Sequence, residues 1–99
     1  MRSRRAVDHA LDLLGRRWSL RIVWELRRSA LPFTEIRRRT EASPSVLSTR
    51  LEELTRAGVL ERDGSRRYRL SGRGRELARI LLELNRWAEQ AGVSSRSVD

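Results

Sequence analysis

The chain has 99 residues, 22 basic and 13 acidic, with a net charge of +9, and every basic residue is arginine. That length supports one domain with one core and little room for a second ligand-binding unit. The absence of cysteine excludes disulfides, thiolate chemistry and cysteine-based zinc sites, and the positive excess points to a polyanionic partner, most often nucleic acid.

Residues 1–5 are a short basic arm, read first as a disordered, solvated terminus and second as an arm that touches DNA phosphate or a minor groove. They resemble the start of a signal peptide, but Asp8, His9 and Asp12 interrupt any apolar stretch after them. No run is long enough to span a bilayer, so the chain reads as cytoplasmic, with no membrane partner. Ala6 to Leu14 read as a helix with Val7, Ala10, Leu11 and Leu14 on one face and Gly15 as its stop. Trp18 to Arg28 form a second helix, apolar around most of its circumference and therefore central to the core. Ser29 to Pro32 break the pattern. Phe33 to Arg39 give a short third helix, with Thr34 as candidate cap, and Thr40-Glu41-Ala42 make a turn.

Ser43 then caps a fourth helix, Pro44 takes its first position, and Gly58 suits the left-handed residue past its end. Leu47, Leu51 and Leu54 form its apolar face; Ser45, Ser48, Thr49, Glu52 and Arg56 form a polar one. Two short helices joined by a tight turn have helix-turn-helix spacing. Val59 to Arg62 and Arg66 to Leu70 read as two strands, with Asp63-Gly64 as a hairpin turn in which both positions tolerate positive φ. A hairpin with an arginine-rich tip placed there is a wing. Ser71 caps a final helix running to about Gln90, and residues 91–99 read as a frayed tail. The expected fold is mainly α with a small β-hairpin (α+β): one winged helix-turn-helix domain over residues 6–90, with N- and C-terminal helices that dimerise.

Enzymatic chemistry finds no footing. Gly72-Arg73-Gly74 lacks a third glycine and a preceding strand, no metal-ligand cluster appears, and no cofactor is implied. For duplex DNA, Arg37, Arg38, Arg66 and Arg67 are candidate phosphate contacts, with Thr34 and Ser43 as neutral donors. Ser45, Ser48, Thr49 and Arg50 are candidate base readers. Arg50 alone among them can make a bidentate contact to guanine, and it lies toward the edge of the outer face, where phosphate is its other target. Val7, Leu11 and Leu14 of one copy, against Leu77, Ile80, Leu81, Leu84 and Trp87 of another, form a candidate dimer seam. Twofold symmetry would set half-sites about 34 Å apart in an inverted repeat. A cavity beneath Trp18, Trp24 and Trp87 at the dimer interface is a candidate small-molecule effector site. A winged helix serving RNA or protein contact is the second reading.

The ordered segments Leu14-Gly15-Arg16-Arg17-Trp18, Phe33-Thr34-Glu35-Ile36-Arg37-Arg38, Ser43 to Leu51, Leu54 to Arg62 and Tyr68 to Leu77, with Trp87, span about residues 6–90. Together they make the chain resemble the HxlR-type winged helix-turn-helix transcriptional regulators. The resemblance implies a bacterial DNA-binding homodimer whose interface comes largely from the terminal helices; a MarR-type regulator would differ in dimer geometry. Members often carry a cysteine near the N-terminus, some of them to sense oxidants or aldehydes. This chain has no cysteine, so that route is closed to it. Its wing is also shorter than the family's, which limits its reach into a minor groove.

Overall fold

Among the described residues, 5–92, the computed structural model has five helices and three strands. They are α1 (Ala6–Leu14), α2 (Ser19–Glu25), β1 (Leu31–Pro32), α3 (Phe33–Thr40), α4 (Pro44–Arg56), β2 (Leu60–Arg62), β3 (Arg67–Leu70) and α5 (Gly72–Gln90). The winged helix-turn-helix expected from the sequence is the fold observed. The arm at residues 1–4 and the tail at 93–99 lie outside the described residues. Arg5, read as part of the arm, is instead the N-cap of α1: its amide donates to Asp8 Oδ2 at 3.1 Å.

Helix α2 is shorter than the apolar run suggested. Trp18 precedes it in a left-handed conformation (φ 81°), and the helix ends at Glu25. Ile22 and Val23 are fully buried, and around them pack Ile36 of α3, Leu47, Leu51 and Leu54 of α4, and Leu60 and Leu70 of the strands. These side chains are the core that orients α4.

The sheet has one more strand than the hairpin. Leu31 pairs with Tyr68 and Pro32 with Arg67, which puts β1 on one side of β3 and β2 on the other. Proline has no amide to donate and is tolerated there because β1 is an edge strand.

Helix α4 starts and stops where local chemistry says it must. Ser43 Oγ accepts from the Val46 amide at 3.4 Å, and Pro44 occupies the first turn. At the far end Gly58 is left-handed (φ 82°), its amide donates to the Thr55 carbonyl, and the Val59 amide donates to the Leu54 carbonyl. This pair of bonds satisfies carbonyls that the helix leaves open. Thr34 is no cap, because α3 begins at Phe33, one residue earlier.

The exit from α4 is locked to α5. Ser71 Oγ accepts from the Gly74 amide at 3.0 Å, its hydroxyl faces the carbonyls of Gly58 and Val59, and its amide donates to Val59 O at 3.0 Å. Gly74 approaches so closely that an added Cβ would lie 2.2 Å from Val59 O. One contact region thus fixes the end of α4, the root of the wing and the first turn of α5.

Candidate nucleic-acid interface

The core takes Leu47, Leu51 and Leu54, so the opposite side of α4 is turned outward. Ser45, Ser48, Thr49, Glu52 and Arg56 are all exposed there. Thr49 Oγ1 donates to the Ser45 carbonyl at 3.0 Å, which leaves its lone pairs outward as acceptors. No large apolar side chain breaks this surface.

Two open clefts border it. One, about 570 Å³, is lined by Thr34, Arg37, Arg38, Glu41, Ala42, Ser43 and Pro44. It brings the expected phosphate contacts of α3 to the N-terminus of α4, where amides without helical partners favour anions. The other, about 480 Å³, lies between α4 and the wing and is lined by Ser48, Glu52, Thr55, Arg56, Arg62 and Tyr68. Arg56 and Arg62 were not among the candidates. Arg62 ends β2 with its guanidinium 4.9 Å from the Tyr68 ring centroid. Strand alternation could have placed it on the wing, but its closeness to α4 is a tertiary fact.

The arginines differ in how free they are. Arg37 has no ion-pair partner among the described residues, whereas Arg38 and Arg39 both grip Glu35. Arg38, then Arg39, hydrogen-bonds the Glu35 carboxylate and holds its pKa down at about 2. The Arg38 charge is therefore partly offset by Glu35, and that of Arg37 has no such partner among the described residues.

Arg50 needs a correction. Its side chain is folded back from the exposed outer face of α4, with 18% of its surface exposed. Its Nε donates to the Arg17 carbonyl at 2.9 Å, and its Nη1 is 3.3 Å from Glu53, which also faces Arg16. A base reader must extend into the groove; this guanidinium ties α4 back to the α1–α2 junction instead.

The wing tip also differs from expectation in detail. Gly64 is not the left-handed residue; Arg66 is, at φ 65°. Asp63 Oδ1 accepts from the Ser65 amide, the Ser65 hydroxyl and the Arg67 amide at 2.9, 2.7 and 3.0 Å. This carboxylate organises the tip and leaves Arg66 and Arg67 exposed on it. The bonds from Ser65, then Arg67, hold the Asp63 pKa below its usual value. A depressed carboxyl stabilises the folded turn above the unfolded pKa of about 3.9 and loses that contribution as pH falls through the folded value. Acidification should therefore release the Ser65 and Arg67 amides together in NMR spectra, with a midpoint below the ordinary aspartate range. A midpoint at or above about 3.9 would contradict the turn described here.

The sequence profile of the HxlR-like helix-turn-helix family matches residues 13–95. The chain belongs to this family. The uncharacterized HTH-type transcriptional regulator YvaP of Bacillus subtilis is 37% identical over 90 residues, covering 84% of this chain and 83% of YvaP. Rv3095 of Mycobacterium tuberculosis, another uncharacterized HTH-type transcriptional regulator, is 32% identical over 91 residues; the match covers 86% of this chain and 58% of Rv3095. Among solved structures, quinone-bound YodB from B. subtilis superposes with a TM-score of 0.80 at 30% identity, over 89% of this chain and 99% of that one. The chain is thus a transcriptional regulator of the HxlR-like winged-helix type and not an enzyme. No helix among the described residues is long and apolar enough to cross a membrane.

The HxlR-like framework leaves the two terminal helices apolar on the outside. Helix α1 has no buried residue, and Val7 and Leu11 are 48% and 63% exposed. On α5, Ile80, Leu84 and Trp87 are 63%, 50% and 60% exposed. Three of the expected seam residues sit elsewhere: Leu81 is buried in the core, and Leu14 and Leu77 pack against it. Of the three tryptophans expected around one cavity, only Trp24 lines the groove between α2 and α5, with Leu20, Leu81, Leu84, Asn85 and Ala88. Trp18 lies under Arg17, and Trp87 points outward.

Proposed function

We propose that this regulator binds duplex DNA as a homodimer, with α4 in the major groove and the wing along the backbone. The observation that carries the reading is the outer face of α4: wholly polar, exposed, and bordered on both sides by arginine-lined clefts. An α-helix fits the major groove, and short hydroxyl side chains allow the close approach that base contact requires. Ser45, Ser48 and Thr49 are the proposed readers. Arg37, Arg66 and Arg67, joined by Arg62, hold phosphates, with Thr34 and Ser43 beside them, and Arg38 adds a weaker contribution. Arg50 is a positioning residue that sets the pitch of α4 through the Arg17 carbonyl. Replacing Ser48 with aspartate tests the groove placement. Ser48 is exposed, so folding should be retained while duplex binding falls at least about tenfold, since a carboxylate faces phosphate and base acceptors. Binding unchanged by Ser48→Asp would remove α4 from the interface.

The dimer reading rests on Val7 and Leu11 of α1 and Ile80, Leu84 and Trp87 of α5. An apolar helix face with nothing over it favours self-association. Sedimentation of the Leu11→Asp/Leu84→Asp variant should give monomer, with duplex affinity reduced because only one half-site is engaged. A variant that remains dimeric would place the interface elsewhere. A small-molecule effector would enter the α2–α5 groove at Trp24, which lies beside Leu84 and hence beside the proposed seam.

A further inference from the structure

Many arginines of this surface face a carboxylate: Arg5 with Asp8, Arg16 with Glu53, Arg21 with Glu25, Arg56 with Glu52, Arg69 with Glu61, Arg86 with Glu83. Most of those that do not fall into two groups. Arg37, Arg62, Arg66 and Arg67 surround α4 and belong to the proposed DNA face. Arg27, Arg28, Arg75 and Arg79 line a different cleft, of about 310 Å³, floored by Ala78 and Leu82. None of these four has an ion-pair partner among the described residues. Like charges held together without a counter-charge cost free energy unless an anion joins them.

Two of the four are already restrained. Arg27 Nη1 donates to the Trp24 carbonyl at 2.9 Å while its guanidinium lies 3.8 Å from the Trp24 ring centroid. Arg75 Nη1 reaches the Leu70 carbonyl at 3.4 Å. Each guanidinium keeps further donors for a ligand, and restraint before binding lowers the ordering cost. The cleft continues past Ser29 and Ala30 to Arg69.

Its position separates it from the face already described. The register Leu31 with Tyr68 and Pro32 with Arg67 runs β1 toward the wing tip, so the segment carrying Arg27 and Arg28 enters at the opposite end of β3. The cleft shares no residue with the two clefts beside α4. On α5, at about 100° per residue, Arg75, Arg79 and Leu82 form a stripe on the order of 150° away from Ile80, Leu84 and Trp87. A dimer formed through those apolar residues leaves it open.

We infer that the cleft between the end of α2 and the first turns of α5 is a second anion site, for a small ligand bearing two or more linked phosphate groups. Guanidinium forks match phosphate oxygens in pairs, and the cluster's charge suits a multiply charged anion better than a lone carboxylate. A cleft of about 310 Å³ is at the small end of ligand sites. The site stands on this arginine cluster alone and would exist whether or not α4 reads DNA.

Calorimetry with inorganic tripolyphosphate as probe tests it, using the full chain, R28Q/R79Q and R66Q/R67Q. Arg28, Arg79, Arg66 and Arg67 are exposed, so both variants should fold. R28Q/R79Q should weaken tripolyphosphate binding about a hundredfold while R66Q/R67Q retains it, since each lost charged hydrogen bond is worth about tenfold or more. Duplex affinity of R28Q/R79Q should stay within about threefold of the parent's, because exposed substitutions away from an interface have small effects. Tripolyphosphate affinity equal in R28Q/R79Q and the parent, or lost only in R66Q/R67Q, overturns the site. A loss of duplex binding in R28Q/R79Q as large as in R66Q/R67Q would make the cleft part of the DNA surface and also overturn it.

Discussion

Gly74→Ala should cost this domain about 3 kcal/mol or more, at or above the upper end of the usual range for overpacking. The added methyl would lie 2.2 Å from Val59 O and 3.1 Å from Leu70 Cβ. Neither can move aside cheaply. Val59 O accepts the Ser71 amide, and its chain is the root of β2, so retreat would pull the wing from the end of α4. For a domain of ordinary stability, about 5–15 kcal/mol, that is a large fraction of the total. Gly72→Ala is the internal control. Its added methyl meets only the end of the Arg75 side chain at 3.7 Å, so it should be neutral or stabilise by up to about 1 kcal/mol through lost unfolded-state freedom. Urea denaturation of the two variants checks the pair; equal midpoints would mean that the α5–β2 contact is looser than described.

Arg66→Gln with Arg67→Gln should weaken duplex binding on the order of a hundredfold near 0.1 M salt, and for all sequences alike. Both side chains are exposed at the wing tip and neither has a carboxylate partner among the described residues. Glutamine at position 66 inherits the same left-handed backbone as arginine, so the turn, held by Asp63, should persist. The proposed dimer loses four charges in this variant. If each neutralises a phosphate, the slope of log affinity against log salt should become shallower by about 3 to 4. Arg86→Gln, paired with Glu83 on the far part of α5, should leave the slope unchanged. A slope that is the same in the wing variant and the parent would mean that the wing does not touch the backbone.

What the sequence made legible was local. The bounds of α4 follow from Ser43, Pro44 and Gly58, residues whose effect is exerted within a turn of where they stand. The wing followed from two short strand patterns around Asp63-Gly64, but the carboxylate of Asp63, not a glycine, organises the tip, and Arg66 takes the left-handed position. β1 escaped because Leu31–Pro32 is too short to alternate and becomes a strand only when Tyr68 and Arg67 lie beside it. Arg50 escaped because its partner, the Arg17 carbonyl, is 33 residues away. Helical spacing could not divide the apolar face of α5. Leu81 goes to the core while Ile80 and Leu84 stay outside, and only the crossing with α2 decides between them.

Selection of bound fragments from a random duplex pool by the purified protein tests the proposed reading most directly. The expected product is an inverted repeat whose half-sites are centred about one helical turn, roughly 34 Å, or a small multiple of it apart. Its most constrained base pairs should be the ones whose preference shifts when Ser45, Ser48 or Thr49 is replaced. Enrichment of no sequence, or of a single asymmetric site that the Ser48 and Thr49 variants select equally well, would contradict a homodimer reading DNA through α4.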